Sequence, residues 1–94
     1  MRRIDTTEAI ANVLREAGRT HHAVYRITDG DDPDWAWWYA NWLLTLSELP
    51  SLLARVPPRS YLVHALVELE RQHSGEGWEA AYAAGLVERF GASA

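Results

Sequence analysis

Two adjacent histidines and a nearby tyrosine are the residues whose spacing first suggests chemistry. Tyr25 follows His21 by four residues and His22 by three. Side chains three or four apart share a helix face, so we place His22 with Tyr25 on one flank and His21 on the next. Imidazole exchanges a proton near neutral pH, and a tyrosine hydroxyl can polarise a bound carbonyl. This pair could support acid and base chemistry, although one half-buried and one solvated histidine would explain the same pattern without a reaction.

The segment Trp35 to Trp42 holds four of the five tryptophans of the chain and follows four aspartates between positions 29 and 34. Aromatic faces beside carboxylates suit a cationic or flat heteroaromatic ligand. The same rings could anchor a protein interface or provide the core that a short chain needs. The residues predicted to bind a ligand are Trp35, Trp38, Tyr39, Trp42 and His21.

The sequence predicts no metal and no cofactor. A twelve-residue calcium-binding loop needs glycine at its sixth position and glutamate at its twelfth. Counted from Asp29, this segment has its glycine, Gly30, at the second position and has Ala40 at the twelfth, so it does not match. His64 and Glu68 lie four residues apart and could join a histidine of the first helix as metal ligands. Such pairs arise often by chance, and no established metal-binding motif accompanies this one.

Size and charge narrow the functional classes. The 94 residues predict one domain, residues 1–94, with a core small enough to favour self-association, so we expect a homodimer. Thirteen acidic and nine basic residues give a net charge of -4, which predicts no nucleic-acid partner. The absence of cysteine fits a reducing compartment, and no apolar run approaches membrane-spanning length. We therefore expect a cytoplasmic protein that does not enter a membrane.

The first predicted helix runs from Thr6 to about Thr28. Thr6 or Thr7 could cap its start, and Asp29-Gly30 is a stop signal. Gly18 marks either a break into two helices or a place where another element approaches the backbone closely. The apolar residues that predict one buried stripe are Ile10, Val13, Leu14, Ala17, Val24 and Tyr25.

The second predicted helix begins at Pro33, behind an aspartate cap, because proline is well tolerated at the first helical position. We expect Trp37 and Leu44 to point away from its broad apolar face. The residues predicted to form that face are Trp35, Trp38, Tyr39, Trp42, Leu43, Leu46 and Leu49.

The second half of the chain predicts a short turn and two further helices. Prolines on both sides favour a short helical turn over Ser51–Val56. Helices are expected over Arg59–His73 and Trp78–Phe90. With short links, the elements predict an all-α fold, namely a small four-helix antiparallel bundle with an additional short helical turn. The inward residues are predicted to be Leu62, Ala65, Leu66, Leu69, Trp78, Ala81, Tyr82, Gly85 or Leu86, and Phe90.

About a fifth of the chain resembles a group of small uncharacterised bacterial helical proteins. Their common pattern is His-x-x-Tyr, a turn, and then Asp-x-x-Trp-x-x-Trp-Tyr-Ala. That group has no established activity, so the resemblance implies a helical fold and a bacterial source without naming a reaction. It favours His22 over His21 as the functional histidine. The matching positions here are His22, Tyr25, Asp32, Trp35, Trp38, Tyr39 and Ala40.

These patterns leave three hypotheses of different classes. The first is a protein that binds a small organic ligand between the first two helices. Its polar groups would be His22, Tyr25 and Asp32, and its walls would be Trp35, Trp38, Tyr39 and Trp42. The second is a cofactor-free lyase or isomerase that uses His22 as base, Tyr25 as hydrogen-bond donor and Asp32 as a further polar group. The third is a homodimer or partner interface formed by the Trp-rich face. Whether the protein is an enzyme stays open at this point.

Overall fold

The computed structural model describes residues 5–26, 32–73 and 75–93, and in these ranges the chain is helical. The all-α prediction is confirmed, and a short helix provides the additional turn. The largest contacts join α1 to α5 and α2 to α4. None of the helices in these ranges is long and apolar enough to cross a bilayer. The helices are α1 Thr6–Val24, α2 Trp35–Thr45, α3 Leu49–Leu52, α4 Arg59–Gln72 and α5 Trp78–Phe90.

The start and end of α1 differ from the prediction. Asp5 caps the helix, because its carboxylate accepts a hydrogen bond of 2.8 Å from the backbone N–H of Glu8. The predicted threonine cap is therefore wrong. The helix ends at Val24, whose side chain is exposed instead of buried as predicted, while the other aliphatic residues of the stripe are buried. The predicted stop at Asp29-Gly30 lies outside the described residues.

Gly18 lies inside the uninterrupted helix α1, so it does not divide the helix. A methyl group added to it would lie 3.3 Å from Cζ2 of Trp78 and 3.7 Å from the hydroxyl oxygen of Tyr39. The glycine therefore allows the indole of α5 to approach the backbone of α1. Of the two alternatives for this residue, close approach is the one observed.

A turn precedes α2, and the predicted helix start at Pro33 is wrong by two residues. The helix begins at Trp35, whose N–H donates to the backbone carbonyl of Asp32 at 3.1 Å. The N–H of Asp34 donates to the side chain of Asp32 at 3.0 Å. Aspartate bonded in this way to the backbone two residues on favours a turn, and Pro33 lies within it.

Two alanines and one leucine form the most buried face of α2. Leu46 follows the end of the helix and is exposed, whereas Leu44 packs against the core, so both predictions are wrong. The alanines let α2 pack closely against its neighbours and leave the wide rings at the flanks of the contact, where they are partly buried. The buried residues of α2 are Ala36, Ala40 and Leu43.

The second half follows the prediction more closely. The bounds of α5 and the inward leucines of α4 are as predicted, and α4 ends one residue early. Of the inward residues predicted for α5, Tyr82 and Leu86 are buried, whereas Trp78, Ala81 and Phe90 are only partly buried.

The short helix spans Leu49–Leu52, whereas Ser51–Val56 was predicted. Pro50 does not end the preceding helical segment as expected, because proline is tolerated in the first turn of a helix. The loop after α3 is tied to the end of α5 by backbone hydrogen bonds, including one of 2.8 Å from Ala54 N–H to Gly91.

Candidate functional site

A buried pair of His21 and Asp32 joins the last turns of α1 to the turn before α2. His21 is 7% exposed, and its Nε2 lies 3.1 Å from Oδ2 of Asp32. The other carboxylate oxygen accepts the backbone N–H of Asp34 at 3.0 Å. One carboxylate therefore orients the imidazole and also shapes the entry into α2.

Aromatic rings surround the imidazole of His21. The ring centroids of Tyr25, Trp38 and Tyr39 lie 4.7, 5.0 and 5.1 Å from that of His21, and Trp38 meets it edge to face. Desolvation raises the pKa of the Tyr25 hydroxyl, and the charge of Asp32 and a hydrogen bond with it raise the pKa further. The phenol thus stays neutral beside the carboxylate and can act as a hydrogen-bond donor.

The structure brings Tyr25 and Asp32 together around His21 and leaves His22 on an exposed part of α1. We expected Tyr25 to lie beside His22, but its ring packs on His21 instead. Residues four apart on a helix are neighbours, as are residues three apart. His22 lies at the edge of an open groove of about 680 Å³ that also borders Trp78. A role for His22 as base stays a prediction.

The four predicted ring residues divide between different places. Trp35 and Tyr39 face α5, and Trp38 packs on His21. Trp42 stacks on Trp38 with a ring separation of 6.4 Å and lines an open groove of about 600 Å³ between α1 and α2. Trp38 and Tyr39 thus lie against His21 of α1, and Trp42 borders α1 in a separate groove, so three of the four predicted wall residues lie where α1 and α2 meet.

A second aromatic groove, of about 310 Å³, lies where α2 and α5 meet the end of α1, and His21 is part of its wall. Sequence reasoning did not assign Trp78, Tyr82 or Glu70 to a site. Two features of the sequence indicated this region: the four-residue spacing between Trp78 and Tyr82, and the glycine at position 18. We call this the α2–α5 groove, and its lining is His21, Trp35, Tyr39, Glu70, Gly75, Trp78 and Tyr82.

Edge-to-face contacts join the rings of the α2–α5 groove into a continuous wall. The ring centroids of Tyr39 lie 5.9 Å from Trp35 and 6.2 Å from Trp78, and Trp78 lies 5.0 Å from Tyr82. All three pairs are tilted by at least 70°. Such edge-to-face contacts hold the rings in place.

Glu70 is the acidic residue that lines the α2–α5 groove. Burial raises the pKa of Tyr82 to about 12, and the charge of Glu70 contributes in the same direction. Burial also raises the pKa of Tyr39, with a further contribution from Glu79. Both phenols therefore stay neutral at physiological pH, and the nearby carboxylates favour a positive charge in the groove.

Tyr82 provides a prediction on alkaline stability. Its folded pKa lies above the ordinary value of 10, so its neutral form stabilises the fold fully below about pH 10, and this contribution is lost as the pH rises toward 12. Tyr82→Phe should move alkaline unfolding, followed by circular dichroism, to higher pH. The exposed Tyr61→Phe variant is the control and should unfold at the wild-type pH. Equal behaviour of the two variants would contradict the assignment.

Trp37 lies apart from these grooves and is 52% exposed, which confirms that it points away from the core. The guanidinium carbon of Arg59 lies 5.4 Å from the centroid of its ring, within the range of a cation–π contact. A homodimer formed through the Trp-rich surface stays a prediction.

Two of the histidines considered as metal ligands lie against carboxylates. His64 Nε2 lies 2.8 Å from Oε1 of Glu68, and His21 is bonded to Asp32. Among the residues that the structure describes, no three histidine, cysteine or acidic side chains are grouped as a metal site would require.

Comparisons with known proteins find no family model, no curated protein and no solved structure that matches this chain. The resemblance to the bacterial His-x-x-Tyr proteins therefore stays a prediction. The geometry and charge of the α2–α5 groove are the basis for a functional proposal.

Proposed function

We propose that this protein binds a flat, cationic organic ligand, such as a quaternised N-heterocycle, in the α2–α5 groove. The observation that carries the proposal is the combination of four aromatic rings with the carboxylate of Glu70 around one groove. Its volume of about 310 Å³ lies at the lower end of the range for small-molecule sites. A ligand of one or two fused rings is therefore the size class that fits.

Charge selects a cation over a neutral ring. The π faces of tryptophan and tyrosine attract positive charge, and this attraction grows where water is excluded. Glu70 lines the groove and its charge raises the pKa of Tyr82, so its carboxylate stabilises a cation bound beside it. An anion would meet repulsion from Glu70.

His21 supplies a fixed polar group in the wall of the groove. Because Asp32 holds Nε2, the imidazole keeps one orientation without the ligand. Preorganised side chains lose little conformational entropy on binding, which favours affinity and selectivity for ligand shape.

Ligand selectivity tests the proposal. We expect N-methylquinolinium to raise the melting temperature of the protein. It should also bind about tenfold more tightly than quinoline, because N-methylquinolinium carries a fixed positive charge and quinoline is neutral at pH 7.5. Glu70→Gln should remove most of this preference. Trp78→Leu should weaken binding of both compounds, because it removes one ring of the wall. Isothermal calorimetry and thermal melts measure these effects.

Trp37→Leu is the matched control, because it removes an exposed tryptophan outside the α2–α5 groove. It should leave the affinity for N-methylquinolinium unchanged. Equal affinity for the charged and neutral compounds would contradict the proposal, as would an equal loss in the Trp37 and Trp78 variants.

A second candidate function is cofactor-free acid and base catalysis, favoured by the 3.1 Å contact between His21 and a buried carboxylate. In this proposal His21 takes the role that the sequence suggested for His22, and Asp32 orients it. Any compound that binds in the groove can be followed by NMR for conversion. Turnover lost in His21→Gln and kept in His22→Ala would support this role, whereas the reverse would support His22.

A further inference from the structure

A separate groove lies between the start of α4 and the end of α5, and none of its residues lines the α2–α5 groove. Its volume is about 450 Å³. We propose that this groove binds a small aromatic carboxylate of the benzoate class. The proposal is independent of the proposed function. The lining residues are Ser60, Tyr61, His64, Ala65, Arg89 and Phe90.

Two rings provide the apolar part of this groove. Tyr61 is 66% exposed although it is a large aromatic side chain, and Phe90 is partly buried against the core. Ala65, buried and small, leaves room between them. A flat ring placed there would cover apolar surface that water now contacts, which is favourable.

Arg89 provides the recognition of charge. Its side chain is 31% exposed, and its NH1 nitrogen lies 3.8 Å from Oε1 of Glu68, too far for a hydrogen bond. Among the described residues this is the one polar contact of its guanidinium. The planar guanidinium therefore has N–H donors available in the groove, with the geometry that binds a carboxylate through two parallel hydrogen bonds.

The charged groups around this groove favour a ligand that carries one carboxylate. His64 Nε2 lies 2.8 Å from Oε1 of Glu68, so that carboxylate already has a closer partner than Arg89. Arg55 donates to the backbone carbonyl of Arg89 at 2.8 Å and brings a second positive charge to the end of α5. Glu68 still repels anions, so a singly charged ligand with a ring to bury fits better than a highly charged one.

Benzoate and benzamide are the matched probes, since they share a ring and differ in charge. In ¹H–¹⁵N NMR titrations of the full chain we expect saturable shifts around Tyr61 and Arg89 with benzoate, and at least about tenfold weaker binding of benzamide. Arg89→Gln should lose about tenfold in benzoate affinity. Glu68→Gln should bind benzoate several-fold more tightly, because it removes the competing carboxylate.

Arg71→Gln is the control, because it removes an exposed arginine of α4 outside the groove, and its benzoate affinity should equal that of the wild type. The proposal is overturned if benzoate gives no saturable shifts, if benzamide binds equally well, or if Glu68→Gln weakens binding. The comparison of benzoate with benzamide uses the wild-type chain, so it tests the proposal even if the Arg89→Gln variant fails to fold. Binding of N-methylquinolinium should be the same in all three variants.

Discussion

Replacement of Asp32 by alanine should lower the free energy of unfolding by about 3 kcal/mol, because it removes one member of a buried pair and leaves the other without a partner. The carboxylate binds Nε2 of His21 where both side chains are less than a tenth exposed. It also accepts the N–H of Asp34 in the turn before α2. Urea unfolding followed by tryptophan fluorescence measures the change.

Asp34→Ala is the matched control, since Asp34 is exposed in the same turn and its side chain does not cap α2. We expect this variant to change stability by no more than about 0.5 kcal/mol. The His21→Ala and Asp32→Ala double variant should lose less than the sum of the two single losses, because both remove the same interaction. Equal losses in the two aspartate variants, or additive losses in the cycle, would contradict the importance of the pair.

Gly85→Ala should destabilise the fold by about 2 kcal/mol, although alanine is otherwise the better helix former by about 1 kcal/mol. The added methyl group would overlap Cδ2 of Leu69 and lie 3.1 Å from its Cδ1, at the contact between α4 and α5. Leu69 is buried, so it has little room to move away. Thermal and urea unfolding measure the loss.

The same change in a Leu69→Ala background distinguishes overlap from other causes. With the leucine shortened, the methyl group of Gly85→Ala fits, and the change should be neutral or stabilising. A loss of similar size in both backgrounds would show that Gly85 acts through something other than its contact with Leu69.

The α2–α5 groove was only partly predictable from the sequence. Trp35 and Tyr39 could be assigned because they follow an acidic turn on one short helix. Trp78 and Tyr82 lie about forty residues further on, and no local pattern states which helices will pack together. Gly18 indicated that some element approaches α1, but only the fold identified that element as the indole of Trp78.

The sequence by itself determined that the chain is helical and approximately where its four longer helices lie, because prolines, glycines and the three-to-four spacing of apolar residues act over a few neighbouring positions. The bounds of α5 and the inward leucines of α4 follow from such local signals. Only the tertiary structure decided which histidine is functional in our proposal. Adjacent helix residues point about 100° apart, so the position of the turn that carries Asp32 selected His21 for burial and left His22 exposed.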